Sequence, residues 1–467
     1  MPKKYSIPVH PAPPRQYPVG KYTTIEFREN CAGSCRKCVK KECVYGIFKD
    51  NYLHMSAMED PEYLYTCNSC FRCVQECTKG IFSRAINPEY RIIGDDYWTP
   101  HIINRTWYQA QTGSIPVSGA GYGGPFTGKG FDSMWTDMSE IVRPTRDGIH
   151  GREYINTSIE LSKRSLRLAF TGDGALATQV PEILEIPIPI LFNQPDFGLI
   201  APGVLLSMVR AAHDLGTLIF METGEITREM APYAEALIPR LASGSVPENE
   251  DLIRACRMVE IRHSPGLEAD IRAAKAINPG LFIAVGLDLK KDAARTALEI
   301  ARLDVDTLHF YADSHGREQE PEKARFLRGA IRDIHLILIE NALRLKVNLV
   351  FSGGIAMAEH VAKAVICGAD GVAVDNTLLI SLECRMCGRC TQGLSCPAAL
   401  EEVEPDFGSK RITNLISAWR NQLLEVMGAM GLREARRLRG EVGRSMWFED
   451  LEKNHFGPIF GERKVAY

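Results

Sequence analysis

From about residue 110 onward, short apolar runs alternate with stretches in which apolar residues recur three and four positions apart. The runs have the length and composition of strands: IPVSGAG (115–121), LRLAFTGD (166–173), IPIPILFN (186–193), TLIFMETG (217–224) and MVEIRHS (258–264). They continue with LFIAVGL (281–287), TLHFYAD (307–313), VNLVFSGG (347–354) and GVAVD (371–375). Between several of them lie helical segments such as DAARTALEIARLD and MAEHVAKAVICGA. Apolar strands alternating with helices are the pattern of a parallel sheet covered on both faces. Eight or nine such units over about 280 residues predict an α/β fold, a closed (β/α)8 TIM barrel rather than an open sheet.

Ahead of this region the pattern gives way to cysteine. CAGSCRKCVKKEC holds Cys31, Cys35, Cys38 and Cys43, and CNSCFRCVQEC holds Cys67, Cys70, Cys73 and Cys77. The second run has the C-x2-C-x2-C-x3-C spacing of bacterial ferredoxins, in which three thiolates of a tight loop grip one cubane and the fourth reaches the other. The expectation is a ferredoxin-like domain with two 4Fe–4S clusters, one on Cys31, Cys35, Cys38 and Cys77, the other on Cys67, Cys70, Cys73 and Cys43. The first run has C-x3-C at its start, and Thr78 stands where ferredoxins carry proline. Two zinc sites are the competing reading, but zinc ligands usually come as separated C-x2-C pairs.

A third group, Cys384, Cys387, Cys390 and Cys396, follows the last strand. Twelve of the fourteen cysteines thus fall into three groups of four, which in a long chain without a secretory signal points to metal rather than disulfides. Cys256 and Cys367 stand alone in apolar segments and read as small buried hydrophobes.

The formal net charge of -3 gives no electrostatic reason to expect nucleic acid as a partner. No uncharged apolar run has the length of a membrane span, and the proline-rich start reads as an extended arm. A cytoplasmic protein is expected. The predicted organisation is an arm over 1–20, an iron–sulfur domain over 21–105, the barrel over 106–400 with a cysteine loop at 384–396, and a helical segment over 401–467.

In barrels of this kind phosphate often binds at the loops after strands seven and eight. Here those strands end in FSGGI and GADGVAVDN, so Ser352, Gly353 and Gly354 would present backbone N–H groups at a helix start, where an FMN phosphate is stabilised. Gly371, at the final strand, would allow close backbone approach. A purely structural turn is the alternative, since glycine ends many strands.

The stretch SGGIAMAEHVAKAVICGADGVAVDNTLLISLECRMCGRCTQGLSCP, followed by ITNLISAWRNQLLEVMGAMGLREARRLRG, resembles the FMN-binding domain of the glutamate synthase large subunit family. It looks most like the archaeal type, in which a ferredoxin-like segment precedes the barrel. VSGAGYGG corresponds in position to the family's first-strand flavin loop, which assigns Ser118, Gly119, Ala120 and Gly121 to the flavin. FTGDGA (170–175) resembles the family's NTGEGG.

The resemblance also implies a 3Fe–4S centre beside the flavin, with Cys384, Cys390 and Cys396 as ligands. Cys387 is an additional thiol that would complete a 4Fe–4S cube. Other positions depart from the family: DGGTGA appears as ADSHGRE (312–318), QGAKPG as RHSPGL (262–267), and IAVGLDL lacks the expected lysine.

Charged residues at predicted strand ends are the candidate substrate groups, with Arg262 or Arg317 for a carboxylate and His315 for protons. His263 and Asp313 join that set. RPTRDGIHGREY (143–154) would contact the flavin or pin the iron–sulfur segment to the barrel.

The implied activity is reductive amination of 2-oxoglutarate to glutamate by one subunit of a split synthase. A separate NAD(P)H-oxidising flavoprotein or a ferredoxin would supply electrons, and a separate glutamine amidotransferase the ammonia. The alternative is an electron-transfer subunit of a larger redox complex without amination. A zinc-stabilised protein lacking flavin is a third reading.

Overall fold

The computed structural model describes the chain except for residues 1–4, 16–18, 27–30, 32–34, 37, 41, 44–69, 116–127, 138–154, 164–167, 179, 197, 199, 321–322 and 462–467. Eight parallel strands close into a barrel: β1 (Ile190–Asn193), β2 (Ile219–Glu222), β3 (Leu237–Leu241), β4 (Met258–Arg262), β5 (Phe282–Asp288), β6 (Thr307–Tyr311), β7 (Asn348–Ser352) and β8 (Gly371–Val374). The ring closes where Val372 of β8 pairs with Ile190 of β1. Most strand residues are fully buried, as expected where helices cover the outside and other strands' side chains fill the inside.

Among the described residues one expected strand is absent from this barrel and one unexpected strand is present. Of LRLAFTGD, the described residues 168–173 enter a tight turn in which Phe170 bridges Leu176 and the Thr171 N–H donates to the Ala175 carbonyl at 2.8 Å. Of IPVSGAG, all but Ile115 lies outside the described residues. The unexpected strand is β3, LIPRL, whose Pro239 lacks a ladder N–H and so reads as a breaker. Its neighbours still hold it, with Pro239 paired to Met221 and Arg240 to both Glu222 and Glu260.

A short hairpin, Ile159–Glu160 with Glu185–Ile186, plugs the end of the barrel where the strands begin. Ile159, Leu161, Leu184 and Ile186 form one cluster with inward residues including Leu191, Ile238, Met258 and Val350. Gly371 opens β8 at this same end, where a Cβ would sit 2.9 Å from Ile159 Cδ1. Its missing side chain makes room for the plug and has no place in a mouth-side cofactor cradle.

The long helix Pro405–Ala429 packs on the barrel's exterior beside Pro202–Leu215 and Pro100–Thr112. Its buried Arg411 donates to the carbonyls of Ser381 (2.6 Å), Ala12 (3.1 Å) and Trp107 (3.4 Å). That one guanidinium fastens the N-terminal arm, the helix ahead of the barrel and the segment after β8. Nearer the N-terminus, Tyr22–Glu26 pairs antiparallel with Phe82–Ile86. Cys31, Cys43, Cys73 and Cys77 pack around Ile81 and Phe82 beside this ribbon.

A second buried charge cluster ties the C-terminal region to the barrel. Arg344 Nη2 donates to Asp370 at 2.7 Å, its Nε donates to His335 Nδ1 at 2.9 Å, and Arg439 reaches Asp370 at 2.8 Å. Burial and the neighbouring arginines push His335 down to about 4. The unfolded imidazole titrates near 6.5, so between about 6.5 and 4 the unfolded chain binds more protons and stability falls as pH falls. The expected loss is about 3 kcal/mol between neutral pH and pH about 4. Denaturant midpoints for the native chain and His335→Gln, measured across that window, should show a shallower decline in the variant; an equal slope contradicts the assignment.

Candidate active site at the barrel mouth

The strands end around a cavity of about 390 Å³ to which each contributes a polar group: Asn193, Glu222, Arg240, Arg262, Asp288, Tyr311, Ser352 and, just past β8, Asp375. A pocket of this volume holds a small-molecule ligand. Its walls are unusual for a barrel because ionised groups continue inward from the rim.

Glu260, with no exposure, lies one inward position below Arg262 on β4. Its Oε2 is 2.6 Å from His309 Nδ1, its Oε1 accepts from the Tyr311 hydroxyl, and Arg240 Nε is 3.4 Å away. Burial works against the charged carboxylate, but His309, Arg240 and Tyr311 outweigh it and hold Glu260 below the ordinary glutamate range. Arg240 also pairs with Glu222 at 3.0 Å and donates to Asn193. Gly286 faces this group: a Cβ there would be 2.8 Å from Glu260 Oε1, so the carboxylate occupies space that a side chain on β5 would need.

Asp375 sits between β8 and the helix Asn376–Ser381. It accepts from the N–H of Asn376 at 2.6 Å and of Gly353 at 3.1 Å. Burial nevertheless raises its carboxyl to about 6, with the charge of Asp196 adding to the shift.

The loop after β7 is shaped by two left-handed residues, Gly353 (φ +90°) and Gly354 (φ +68°). A Cβ on Gly353 would fall 2.5 Å from the Asp313 carbonyl, and one on Gly354 would fall 2.4 Å from the Gly316 N. Glycine is required here twice over, by φ and by the backbone of the loop after β6. Among the described residues the buried N–H groups of Gly354 and Ile355 have no hydrogen-bond partner. They lie just ahead of the helix Ala358–Cys367, where an anion is stabilised.

A latch from before the barrel covers these two loops. Tyr97 donates to the Gly354 carbonyl at 2.5 Å, and Trp98 Nε1 to the Ser314 carbonyl at 2.9 Å. Asp95 Oδ2 lies 2.8 Å from His315 Nε2, and that hydrogen bond raises the imidazole pKa above its ordinary value.

The sequence-predicted residues therefore divide. Arg262 lines the cavity, 3.0 Å from Asp288, with its guanidinium 4.8 Å from the Tyr311 ring centre. Ser352 lines it from β7. His263 borders a smaller adjoining cavity of about 220 Å³. His315 and Arg317 lie in the loop after β6, but neither lines the mouth cavity: His315 is committed to Asp95, and Arg317 is exposed with its N–H donated to Asp313. Ser118, Gly119, Ala120, Gly121 and the stretch 143–154 lie outside the described residues.

Sequence reasoning missed Arg240, Glu260, His309, Tyr311 and Asp375. The available signal was a charged or imidazole residue inside an otherwise apolar strand, as in MVEIR and TLHFY.

Cys384 is buried, and that burial pushes its thiol up to about 12, with Cys396, Cys387 and Cys390 near enough to add to the shift. Of the six non-glycine residues with left-handed φ among the described ones, three adjoin cysteine, Phe71, Glu383 and Met386, and Ala399 lies three residues past Cys396. Such conformations cost about 1–3 kcal/mol each and persist where a site requires them. The loop touches the latch, since the Gly94 N–H donates to the Arg385 carbonyl at 2.9 Å. Among the described residues no three His, Cys, Asp or Glu side chains converge on one point to hold a single metal ion. Cys67 lies outside the described residues.

A family model described as a conserved region in glutamate synthase matches residues 242–433, which include β4 to β8 and the Cys384–Cys396 loop. An archaeal-type glutamate synthase [NADPH] of Thermotoga maritima is 26% identical, the match covering 91% of this chain and 94% of that protein. The archaeal glutamate synthase [NADPH] of Methanocaldococcus jannaschii is 26% identical across 81% of this chain and 92% of its own length. Over most of its length the chain is similar to glutamate synthases.

The region matched by the glutamate synthase model holds the third cysteine group but neither N-terminal one. Among solved structures, a mandelate oxidase with a monooxide FMN adduct covers 73% of the chain at 14% identity and a TM-score of 0.44, too distant to bear on chemistry. Among the described residues no helix is long and apolar enough to cross a membrane.

Replacing Glu260 with alanine should destabilise the protein by about 3–5 kcal/mol, because it leaves the buried Arg240 without its inner partner. Equilibrium denaturation measures this; a change within about 0.5 kcal/mol would show that the Arg240–Glu260 contact is dispensable.

Proposed function

We propose that the chain is an FMN- and iron–sulfur-dependent oxidoreductase that reductively aminates 2-oxoglutarate to L-glutamate, as one subunit of a split synthase. The observation that carries this reading is a junction: the loops after β6 and β7, the latch Asp95–Trp98 and the Cys384–Cys396 loop meet beside the mouth cavity. The latch follows the N-terminal cysteines in the chain.

The donor set fits FMN. The unpartnered N–H groups of Gly354 and Ile355 suit a phosphate, with Ser352 and Gly353 shaping the approach and Ser118, Gly119, Ala120 and Gly121 assigned to the same flavin by resemblance. When bound, FMN exchanges hydride with a substrate and single electrons with clusters.

Cys384, Cys390 and Cys396 would hold a 3Fe–4S centre, or a 4Fe–4S centre with Cys387. Two 4Fe–4S clusters are assigned to Cys31, Cys35, Cys38, Cys43, Cys67, Cys70, Cys73 and Cys77. The packing of Cys31, Cys43, Cys73 and Cys77 around one small apolar centre supports interleaved ligation between the two runs. Arg262, half-exposed at the rim, is the residue best placed to receive a substrate carboxylate.

The relatives' names specify NADPH. For this chain the electrons are assigned to a separate NAD(P)H-oxidising flavoprotein or a ferredoxin, and the ammonia to a separate glutamine amidotransferase, in a cytoplasmic multi-subunit complex.

One feature favours a second reading, electron transfer without amination. Glu260 fills the space at Gly286, on a strand where the family carries a lysine, and ADSHGRE replaces the family's sixth-strand motif.

Anaerobically purified protein should release a yellow cofactor on heating and carry about eleven or twelve irons per chain. Dithionite-reduced protein mixed with oxoglutarate and ammonium should reoxidise as glutamate forms. Reoxidation by an acceptor protein alone, with no glutamate, would select the second reading; iron far below eight per chain would refute both.

A further inference from the structure

Below the mouth the barrel contains a row of three groups, of which the reading above gives Ser352 a place beside the cofactor and gives the two behind it, Glu260 and His309, no part in amination. Glu260 Oε2 is 2.6 Å from His309 Nδ1, and His309 Nε2 is 3.0 Å from Ser352 Oγ. Glu260 and His309 have no solvent exposure, and Ser352 has 1%. Ser352 nevertheless lines the cavity, so the row runs from the sealed interior to the ligand side.

The carboxylate fixes the tautomer. Glu260 can only accept, so His309 carries its proton on Nδ1 and offers the Nε2 lone pair to the Ser352 hydroxyl. That hydroxyl has one other acceptor in reach, the Phe310 carbonyl at 3.5 Å, and the shorter contact to His309 prevails. The imidazole cannot swing away, because the Phe220 ring lies 4.1 Å from it and the Tyr311 ring 4.3 Å. The charged groups facing it are Glu260, Arg240 and Arg262, with Tyr311 and Ser352 completing its titratable and polar surroundings. Burial disfavours the imidazolium and lowers its pKa, while Glu260 opposes that trend.

A polar plug is the plain alternative. Apolar side chains of similar size would fill the barrel at no greater cost, however, since buried ion pairs rarely gain stability over hydrophobic packing. A plug also has no need to end in a hydroxyl at the cavity wall.

We propose that Glu260, His309 and Ser352 form a proton relay that takes a proton from, and returns it to, a nitrogen or oxygen of the substrate at the mouth. In the oxidative direction the substrate's N–H or O–H proton passes to Ser352 Oγ as the hydroxyl proton passes to His309 Nε2. This leaves a neutral serine and an imidazolium paired with the Glu260 carboxylate. In the reductive direction the same proton returns through Ser352 to the substrate atom, and the imidazole is neutral again. The relay rests on the mouth cavity being the reaction site, as in the reading above, and not on which oxo acid or amine occupies it.

Two measurements on the anaerobically prepared full chain test it. Proton NMR should show a strongly downfield imidazole N–H resonance that disappears in His309→Gln and in Glu260→Gln. Ser352→Ala should keep the resonance but slow its exchange with solvent at least about tenfold. Unchanged or faster exchange would mean the row does not communicate with the cavity, and the relay is overturned. In reoxidation of the reduced enzyme by oxoglutarate and ammonium, Ser352→Ala and His309→Gln should each slow the reaction at least about tenfold. Both should flatten its pH profile and solvent isotope effect, and the double variant should be no slower than the slower single one. Additive losses would show independent roles and also overturn the relay. If the native enzyme is not reoxidised by this pair, the amination reading fails and the relay stands or falls on the exchange rates.

Discussion

The close approach of two backbones at Gly353, Gly354 and Gly316 is the constraint on which the mouth depends. Left-handed φ at the first two residues lets the loop after β7 run against the loop after β6 with no side chain between them. That contact leaves the N–H groups of Gly354 and Ile355 without a partner among the described residues and lets the Gly354 carbonyl accept from Tyr97. A single Cβ at either position would meet backbone atoms, which cannot rotate aside. The latch, the cysteine loop and the cavity wall would then lose their common reference.

Below that seam the interior is organised by charge. Glu260 is held ionised in the barrel by an arginine, an imidazole and a phenol, and removing any one leaves a buried group underpaired. The geometry is correspondingly specific: Gly286 must stay small, and the Phe220 ring lies against His309 at 4.1 Å between ring centres, tilted by 30°. The hairpin carrying Ile159 and Ile186 closes the opposite end, so these groups meet solvent only through the mouth.

Much of the barrel was legible because its strands are buried on both faces and read as continuous apolar runs. The run LIPRL was not, because Pro239 and Arg240 each argue against a central strand when neighbours are unknown. Leu168 and Phe170 misled in the other direction: they are apolar yet exposed, leading into a turn, where the apolar run suggested a buried strand. The strand-seven glycines were legible by position. The interior row was not, since the partners of Glu260 lie 49 and 51 residues away and meet only once the barrel closes. His315 was singled out as a charged loop residue at a strand end, and its partner Asp95, 220 residues earlier, was invisible for the same reason.

The ribbon formed by Tyr22–Glu26 and Phe82–Ile86 brings the chain into and out of the cysteine-rich stretch at one place. A segment stapled at its base in this way is topologically a side branch: its length and internal route can change without moving the points where it joins the trunk. Loop-closure entropy rises only slowly with size, so such a branch tolerates insertion and deletion at small thermodynamic cost. Variation in cysteine spacing, including the extra residue between Cys31 and Cys35, can therefore accumulate there without disturbing the barrel's register.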